Sequence, residues 1–165
     1  MENDIFCLRN KVIIVTGGNG QLGRQYVQTL LGRGAKVVIL DRAVNYEFEK
    51  SLDRYSDSLL SIKVDISNKE DLIKTVEKIY KKWDQPIDGL VNNAALDSPP
   101  DSSVDDNGRF ENYAEKSWDD VFRVNVKGVF LCCQILGSEI SKNKKGGAIV
   151  NIGSIYGLVS PRQSI

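Results

Sequence analysis

The chain has 165 residues, of which 41% are hydrophobic and 27% are charged, a composition typical of a single globular domain spanning residues 1–165. Its 22 lysines and arginines equal its 22 aspartates and glutamates, so net charge gives no reason to expect nucleic acid or an anionic membrane as a partner. The sequence contains no histidine, which excludes a serine–histidine–aspartate triad and histidine-based metal sites from these residues, and no metal is predicted.

The N-terminal residues MENDIFCLRNK include acidic side chains and no apolar stretch of signal-peptide length. No later apolar run approaches the ~20 residues of a membrane span, so we expect a cytoplasmic protein. Cys7, Cys132 and Cys133 form no C-x-x-C pair and are interpreted as reduced core cysteines.

Five short apolar runs, rich in β-branched residues, alternate with amphipathic helical segments. This alternation predicts an α/β fold, a Rossmann-like doubly wound parallel sheet, and we expect the strand order 3-2-1-4-5. The fifth strand then lies at an edge although its sequence suits an interior position, which suggests that further strands follow Ile165. The predicted strands are residues 11–16, 35–40, 59–64, 87–91 and 147–152.

A glycine-rich turn, TGGNGQLG (16–23), follows the first strand and opens a helix. Gly18, Gly20 and Gly23 form a G-x-G-x-x-G pattern, whose glycines let the backbone approach a pyrophosphate at a helix N-terminus. No Gly-Lys-Ser/Thr follows, so this is not a P-loop. The alternative interpretation is an ordinary strand–helix turn.

Asp41 ends the second strand, 18 residues after Gly23. A carboxylate there can accept hydrogen bonds from the adenosine ribose hydroxyls and repels a 2′-phosphate, which favours NAD, with NADP as the less favoured cofactor. Arg42 keeps NADP as an alternative cofactor, because its guanidinium can either hold a 2′-phosphate or lie on the adenine.

Two helices carry start signals. Ser67 is predicted to cap the first, with Glu70 completing a capping box. Ser117 is predicted to cap the second, with Asp120 at the third helical position. The apolar stripe of the first helix comprises Leu72, Ile73, Val76, Ile79, Tyr80 and Trp83.

The order of these motifs resembles the short-chain dehydrogenase/reductase family over nearly the whole chain. KVIIVTGGNGQLG (11–23) is similar to the family's first strand and nucleotide turn, and NNAA (92–95) to the motif after its fourth strand. Asp65 matches the acidic residue that meets the adenine. The residues that the resemblance assigns to the cofactor are Gly17, Asn19, Gly20, Gln21, Leu22, Gly23, Asp41, Arg42, Asp65, Ile66, Asn93, Ala94 and Ala95.

The resemblance also implies catalytic residues. WDDVFRVNVKGVF (118–130) is similar to the helix that carries the active-site asparagine, here Asn125, which would hold a water in the proton path. GAIVNIGSIYG (147–157) is similar to the fifth strand and its catalytic serine, here Ser154. The family's Tyr-x-x-x-Lys pair is expected at positions 167 and 171, past Ile165, so the 165 residues are interpreted as an N-terminal portion.

The chain departs from the family pattern at three places. Gln21 and Ala95 stand where many members have glycine. The segment between Ala95 and Trp118 looks longer than usual and holds five acidic residues before Tyr113. It is interpreted either as a solvated loop or as an element that selects a polar substrate. NNAALDSPPD (92–101) faintly resembles members associated with bacterial surface-sugar or flagellin modification.

The resemblance implies an NAD(P)-dependent oxidoreductase that moves a hydride between nicotinamide and a hydroxyl or carbonyl carbon of a small, polar substrate. A homo-oligomer is expected for the complete protein, because VFLCCQIL (129–136) resembles the family's dimer-forming region, although packing in the core is an alternative explanation of its apolar residues. The 165-residue chain alone is expected to have little turnover. The alternatives are a non-catalytic dinucleotide-binding module and an inactive truncated product.

Overall fold

The structure, a computed structural model, describes residues 4–97 and 110–159. Most of the predicted acidic segment between Ala95 and Trp118 therefore lies outside the described residues. The strands and helices are β1 (Val12–Thr16), α1 (Gln21–Gly32), β2 (Lys36–Asp41), α2 (Tyr46–Ser51), β3 (Leu59–Lys63), α3 (Lys69–Trp83), β4 (Gly89–Asn92), α4 (Glu115–Phe122), a π-helical segment (Arg123–Gly128), α5 (Val129–Ser141) and β5 (Ala148–Asn151).

The five strands form one parallel sheet in the order β3-β2-β1-β4-β5, which confirms the predicted topology. In the register, Ile14 of β1 lies beside Val38 of β2 and Leu90 of β4. The chain runs outward from β1 to β3 and then returns to β4 on the other side of β1. The carboxyl ends of β1 and β4 thus flank the point where the strand order reverses, the usual ligand site of such sheets.

Helices cover both faces of the sheet, which explains the apolar residues at successive strand positions. On one face, alternate residues of β1 and β2 such as Ile14 and Leu40 pack with Leu72 of α3 and Leu136 of α5. On the other face, Val15, Val37 and Ile39 pack with Val27 and Leu31 of α1.

The edge strand β5 is exposed along its whole length, as expected from its position. Ile149 and Val150 are 41% and 49% exposed, although both are strongly apolar. The described part of the chain therefore leaves an apolar strand edge uncovered.

Both predicted helix caps are wrong. Helix α3 is capped by Asn68, whose Oδ1 accepts a hydrogen bond from the backbone N–H of Asp71 at 3.2 Å. The Ser67 hydroxyl instead donates to Asp65 at 2.7 Å and accepts from Arg123 Nη1 at 2.8 Å. Helix α4 begins at Glu115 after Ala114, and Ser117 lies buried within its first turn.

Four of the six residues predicted for the apolar stripe of α3 pack in the core, whereas Tyr80 is partly buried and donates to Glu139 through its hydroxyl at 3.3 Å. Leu72 and Ile79 are fully buried, and Val76 and Trp83 pack against the same core. Ile73 is 46% exposed, because it lies on the outer side of the helix.

The continuous helical run Glu115–Ser141 is long and apolar enough, by length and composition only, to cross a membrane. Helices from the cores of globular proteins pass the same test. Here Val124, Leu131, Leu136 and Ile140 pack into the core against the sheet, so we interpret the run as a core helix.

The three cysteines are free thiols in different surroundings. Cys132 is buried and Cys133 is partly buried, as expected for core cysteines. Cys7 is exposed, so the core prediction is wrong for this residue, which lies before the first strand.

Candidate cofactor site

The glycine turn folds tightly between β1 and α1. Gly17 has φ +63°, a left-handed conformation that favours glycine. Its N–H donates to the carbonyl of Leu40 at 2.7 Å, and its carbonyl accepts from Gly20 at 3.0 Å. A Cβ on Gly23 would lie 2.0 Å from the Gly17 oxygen, so only glycine fits where the helix passes under the turn.

The N-terminus of α1 faces this turn without a side-chain cap. Gly20 occupies the cap position, and the first turn of the helix contains no acidic residue. The N-terminal N–H groups and the partial positive charge of the helix are thereby available to an anionic group.

The turn is joined to the end of β2 through Asp41. One carboxylate oxygen of Asp41 accepts from the backbone N–H of Asn19 at 2.9 Å, and the other accepts from Ala43 at 3.1 Å. The Asn19 side chain donates to the carbonyl of Ala43 at 2.7 Å. These bonds fix the carboxylate beside the glycine turn.

A second set of bonds joins the turn to the segment after β4. The hydroxyl oxygen of Thr16 accepts from the N–H groups of Asn93 and Ala94, both at 3.0 Å. The Asn93 amide donates to the carbonyls of Thr16 and Gly17 at 3.0 and 3.1 Å. Asn93 therefore shapes the site by holding backbone in place.

These elements enclose a cleft of about 490 Å³ at the carboxyl edge of the sheet. The cleft brings together all of the predicted cofactor residues except Asn19 and Gly23: Asn19 lines an adjoining cavity, and Gly23 lies beneath the turn. The predicted residues that line the cleft are Gly17, Gly20, Gln21, Leu22, Asp41, Arg42, Asp65, Ile66, Asn93, Ala94 and Ala95.

Asp65 lies in this cleft within an ion-paired network. One oxygen of its carboxylate accepts from the backbone N–H and hydroxyl of Ser67, at 2.9 and 2.7 Å, and the other from Arg123 Nη1 at 3.0 Å. Burial raises the pKa of Asp65, but the hydrogen bonds from Ser67 and the charge of Arg123 outweigh it, so the pKa lies below its ordinary value. Asp65 is therefore held ionised.

The two predicted catalytic residues lie outside the lining of the cleft. Both atoms of the Asn125 amide bond to the backbone of Leu96, with Oδ1 accepting at 2.8 Å and Nδ2 donating at 2.9 Å. Ser154 is exposed three residues past the end of β5, and its Oγ accepts from the N–H of Tyr156 at 3.2 Å. Since β4 and β5 are parallel, Ser154 and Asn93 both come after strands that end at the same carboxyl edge of the sheet.

The sequence pattern of the short chain dehydrogenase family matches residues 11–164. The chain belongs to the short-chain dehydrogenase/reductase family. The predicted family is thereby confirmed.

Named relatives support the assignment. The chain is 35% identical over 162 residues to sorbitol-6-phosphate 2-dehydrogenase of Klebsiella pneumoniae, covering 92% of this chain and 54% of the relative. It is 32% identical over 150 residues to NAD-dependent glycerol dehydrogenase of Listeria innocua, covering 90% and 54%. The chain thus spans about half the length of these short-chain dehydrogenase/reductase relatives.

Solved structures of the family share the fold. A short chain dehydrogenase from Leptospira borgpetersenii with bound NAD+ superimposes with a TM-score of 0.72 at 29% identity, covering 94% of this chain and 56% of that one. ElxO with NADP bound gives a TM-score of 0.77 at 27% identity, covering 94% and 60%.

The cleft of this family member fits a dinucleotide. The uncapped start of α1 and the close approach of Gly23 to Gly17 leave room and N–H donors for a pyrophosphate, and Asp41 presents a carboxylate at the adjoining loop. Among residues 4–97 and 110–159, no group of three or more cysteine, aspartate or glutamate side chains is arranged to hold a metal ion.

Several site residues escaped the sequence analysis. Thr16 could have been found, because it begins the glycine pattern. Arg123 lies two residues before Asn125, but nothing in the sequence spacing indicates its pairing with Asp65. The other lining residues missed are Leu40, Val64, Leu96, Asp97 and Val124.

Proposed function

We propose that the whole protein is an NAD(P)-dependent oxidoreductase that moves a hydride between nicotinamide and a hydroxyl or carbonyl carbon of a small, polar substrate. The observation that carries this proposal is the single cleft in which the glycine turn, Asp41, Asp65 and the NNAA segment meet. When bound, the nicotinamide cofactor supplies or accepts the hydride.

The proposed role of Ser154 is to orient the substrate oxygen. Its Oγ accepts a hydrogen bond from the N–H of Tyr156, which leaves the hydroxyl proton to be donated to that oxygen. Such a bond strengthens as negative charge develops on the oxygen during the reaction. Proton transfer to or from the substrate is assigned to the tyrosine and lysine that the family resemblance implies at positions 167 and 171.

Asn125 has a positioning role in this proposal. Its amide is committed to the backbone of Leu96, a residue that lines the cleft. A water in the proton path would then bind to the backbone near Asn125 and not to its amide.

NAD is the proposed cofactor, with NADP second. Asp41 lies where a 2′-phosphate would meet its negative charge, and both of its oxygens are fixed by backbone N–H groups. The name of the Listeria relative and the NAD+ bound in the Leptospira structure support this choice. Exposed Arg42 is the feature that could admit NADP, which ElxO binds.

The proposed substrate is a small hydroxyl compound. The two curated relatives are named for sorbitol 6-phosphate and glycerol, both of which carry several hydroxyl groups. The acidic segment after Ala95 would favour an uncharged polyol over an anionic sugar phosphate. No membrane or nucleic-acid partner is proposed, because the charge of the chain is balanced, and a cytoplasmic location is proposed.

A homo-oligomer is proposed through the outer face of the run Glu115–Ser141. Trp118, Phe122, Val126 and Phe130 recur every fourth residue and are each about half exposed. The rings of Trp118 and Phe122 stack with centroids 4.4 Å apart. A contiguous apolar stripe of this kind is typical of a surface that a second copy covers.

The test is to isolate the protein from its source, read its sequence past residue 165 and assay it with NAD and polyols. We expect turnover, and we expect Ser154→Ala to lower it by ~10²-fold or more. Ser56→Ala, at an exposed serine that does not line the cleft, should leave turnover unchanged.

The 165-residue chain alone is expected to bind NAD with little turnover, because no tyrosine–lysine pair follows Ser154 at the family spacing within these residues. Binding of NAD by a natural product that ends at residue 165 and lacks turnover would instead establish the non-catalytic module. Absence of both binding and turnover would overturn the proposal.

A further inference from the structure

The π-helical segment Arg123–Gly128 contacts two walls of the cofactor cleft. Arg123 bonds to Asp65 at one wall, and Asn125 bonds to the backbone of Leu96 at the other. Val124, between them in the chain, lines the cleft itself. At the end of the segment, Gly128 lies against Ile66, since a Cβ there would be 2.7 Å from its Cδ1. Short π-helical segments are frequent at functional sites.

Arg123 is the only member of this segment that brings a charge to the cleft residues. Its Nη1 donates to Asp65 at 3.0 Å and to the Ser67 hydroxyl at 2.8 Å. Its Nη2 donates to Asp120 at 3.2 Å, so a second carboxylate holds the guanidinium in place. The side chains of Arg123 and Asp65 are only 38% and 35% exposed.

We propose that Arg123 is a positioning residue that fixes Asp65 as the hydrogen-bond acceptor for the 6-amino group of the cofactor's adenine. This inference rests on the proposed dinucleotide-binding function and on the adenine contact that the family resemblance implies for Asp65. Its new element is that discrimination between adenine and purines with a 6-oxo group depends on Arg123 of the π-helical segment.

The geometry explains why Arg123 and not Ser67 has this role. Ser67 belongs to the same turn as Asp65 and bonds to one carboxylate oxygen only. Arg123 comes from another element and bonds to the other oxygen, so it sets the rotation of the carboxylate relative to the cleft. A carboxylate repels the 6-oxo group of hypoxanthine and accepts from the 6-amino group of adenine.

The experiment measures the affinity of the 165-residue chain for NAD and for nicotinamide hypoxanthine dinucleotide by calorimetry. The parent should prefer NAD by about tenfold, the value of one hydrogen bond to a charged group. Arg123→Leu should lower this preference to about threefold or less, and Arg123→Lys should restore part of it because a lysine keeps the charge.

Two further variants separate positioning from a general structural effect. Lys116→Met removes the other cation that binds Asp120, at 2.6 Å, without touching Asp65, and should leave the preference unchanged. In an Asp65→Asn background, Arg123→Leu should alter the preference no further, because the acceptor it positions is gone.

The outcomes distinguish the two proposals. If the parent binds neither dinucleotide, the NAD binding expected of the 165-residue chain fails and this inference fails with it, whereas the oxidoreductase activity of the whole protein is tested separately by turnover. If the parent binds NAD but Arg123→Leu keeps the full preference over the hypoxanthine analogue, only the role of Arg123 is overturned.

Discussion

The backbone N–H of Asn19 donates a hydrogen bond of 2.9 Å to the carboxylate of Asp41, which joins the glycine turn after β1 to the end of β2. The same carboxylate accepts from Ala43 through its other oxygen. Asp41 is thus oriented from both sides by backbone, so its charge is held at one place at the rim of the cleft.

This relationship predicts how cofactor choice responds to Asp41→Ala. Loss of the carboxylate removes the acceptor for the ribose hydroxyls and the repulsion of a 2′-phosphate. We expect NAD affinity to fall by about tenfold and the preference for NAD over NADP to fall further. Calorimetric titration with both cofactors measures this, with Asp53→Ala, at an exposed aspartate, as the control. An unchanged NAD/NADP ratio would contradict the assignment of Asp41.

The glycine turn predicts opposite effects for two substitutions in α1. A Cβ at Gly23 would lie 2.0 Å from the Gly17 carbonyl oxygen, whereas a Cβ at Gly32 would meet nothing within 4 Å. Gly23→Ala should therefore displace the turn and lower NAD affinity by at least about tenfold. Gly32→Ala should preserve binding and stabilise the helix by about 0.5–1 kcal/mol. Equal NAD affinity in the two variants would show that the close packing of Gly23 is not required.

The strands and the glycine turn could be predicted because each depends on local signals, and the strand order followed from the few topologies that right-handed crossovers allow. Apolar runs identify strands covered on both faces, and a turn that contains Gly17, Gly20 and Gly23 requires glycine for steric reasons. Most residues of the cleft could then be predicted, since the carboxyl ends of parallel strands meet at one edge of the sheet.

The helix starts could not be predicted in the same way. Ser67 and Asn68 are both good caps and are adjacent, and the choice between them depends on a contact of Ser67 with Asp65 and with Arg123, which is 56 residues away. Likewise, Ser117 is buried inside α4. Tertiary contacts of this kind leave no periodic signal in the sequence.

Asp88 lies at the amino edge of the sheet, opposite the cleft, and its hydrogen bonds are expected to stabilise the fold. Its carboxylate accepts from Lys11 Nζ at 2.8 Å, from the Val12 N–H at 3.0 Å and from the Asn143 amide at 3.0 Å. Asp88→Ala leaves the buried donors of Val12 and Asn143 unpaired, and should lower the free energy of unfolding by about 2–3 kcal/mol. Urea denaturation measures the loss.

The control for this prediction is Asp57→Ala, at an exposed aspartate whose side chain can be removed without cost to the core. Because Asp88 precedes β4 while the cleft follows its carboxyl end, NAD affinity of the folded Asp88→Ala protein should equal that of the parent. A loss of stability below about 0.5 kcal/mol would contradict the anchoring role, since surface substitutions have effects of that size.

Cys132 predicts a pH-dependent stability. Burial, with a smaller effect of neighbouring Cys133, raises the pKa of its thiol from 9.0 to about 12. Since the unfolded chain releases this proton at lower pH than the folded chain, the stabilising contribution is complete below pH 9 and is lost as pH rises toward 12. Urea denaturation at pH 8 and pH 10 should show a smaller loss of stability for Cys132→Ala than for the parent, and an equal loss would contradict the raised pKa.

Because the cysteines differ in burial, they should react with an aromatic disulfide reagent at different rates at pH 8. Exposed Cys7 should react first, and Cys132 should react only at the rate of unfolding, because the folded protein holds it as a buried thiol. In a Cys133→Ser background, which removes the partly buried third thiol, Cys7→Ser should remove the fast phase and leave the slow one, and urea should convert the slow phase into a fast one. Rapid modification of Cys132 in the folded protein that carries both Cys7→Ser and Cys133→Ser would contradict the burial of this thiol.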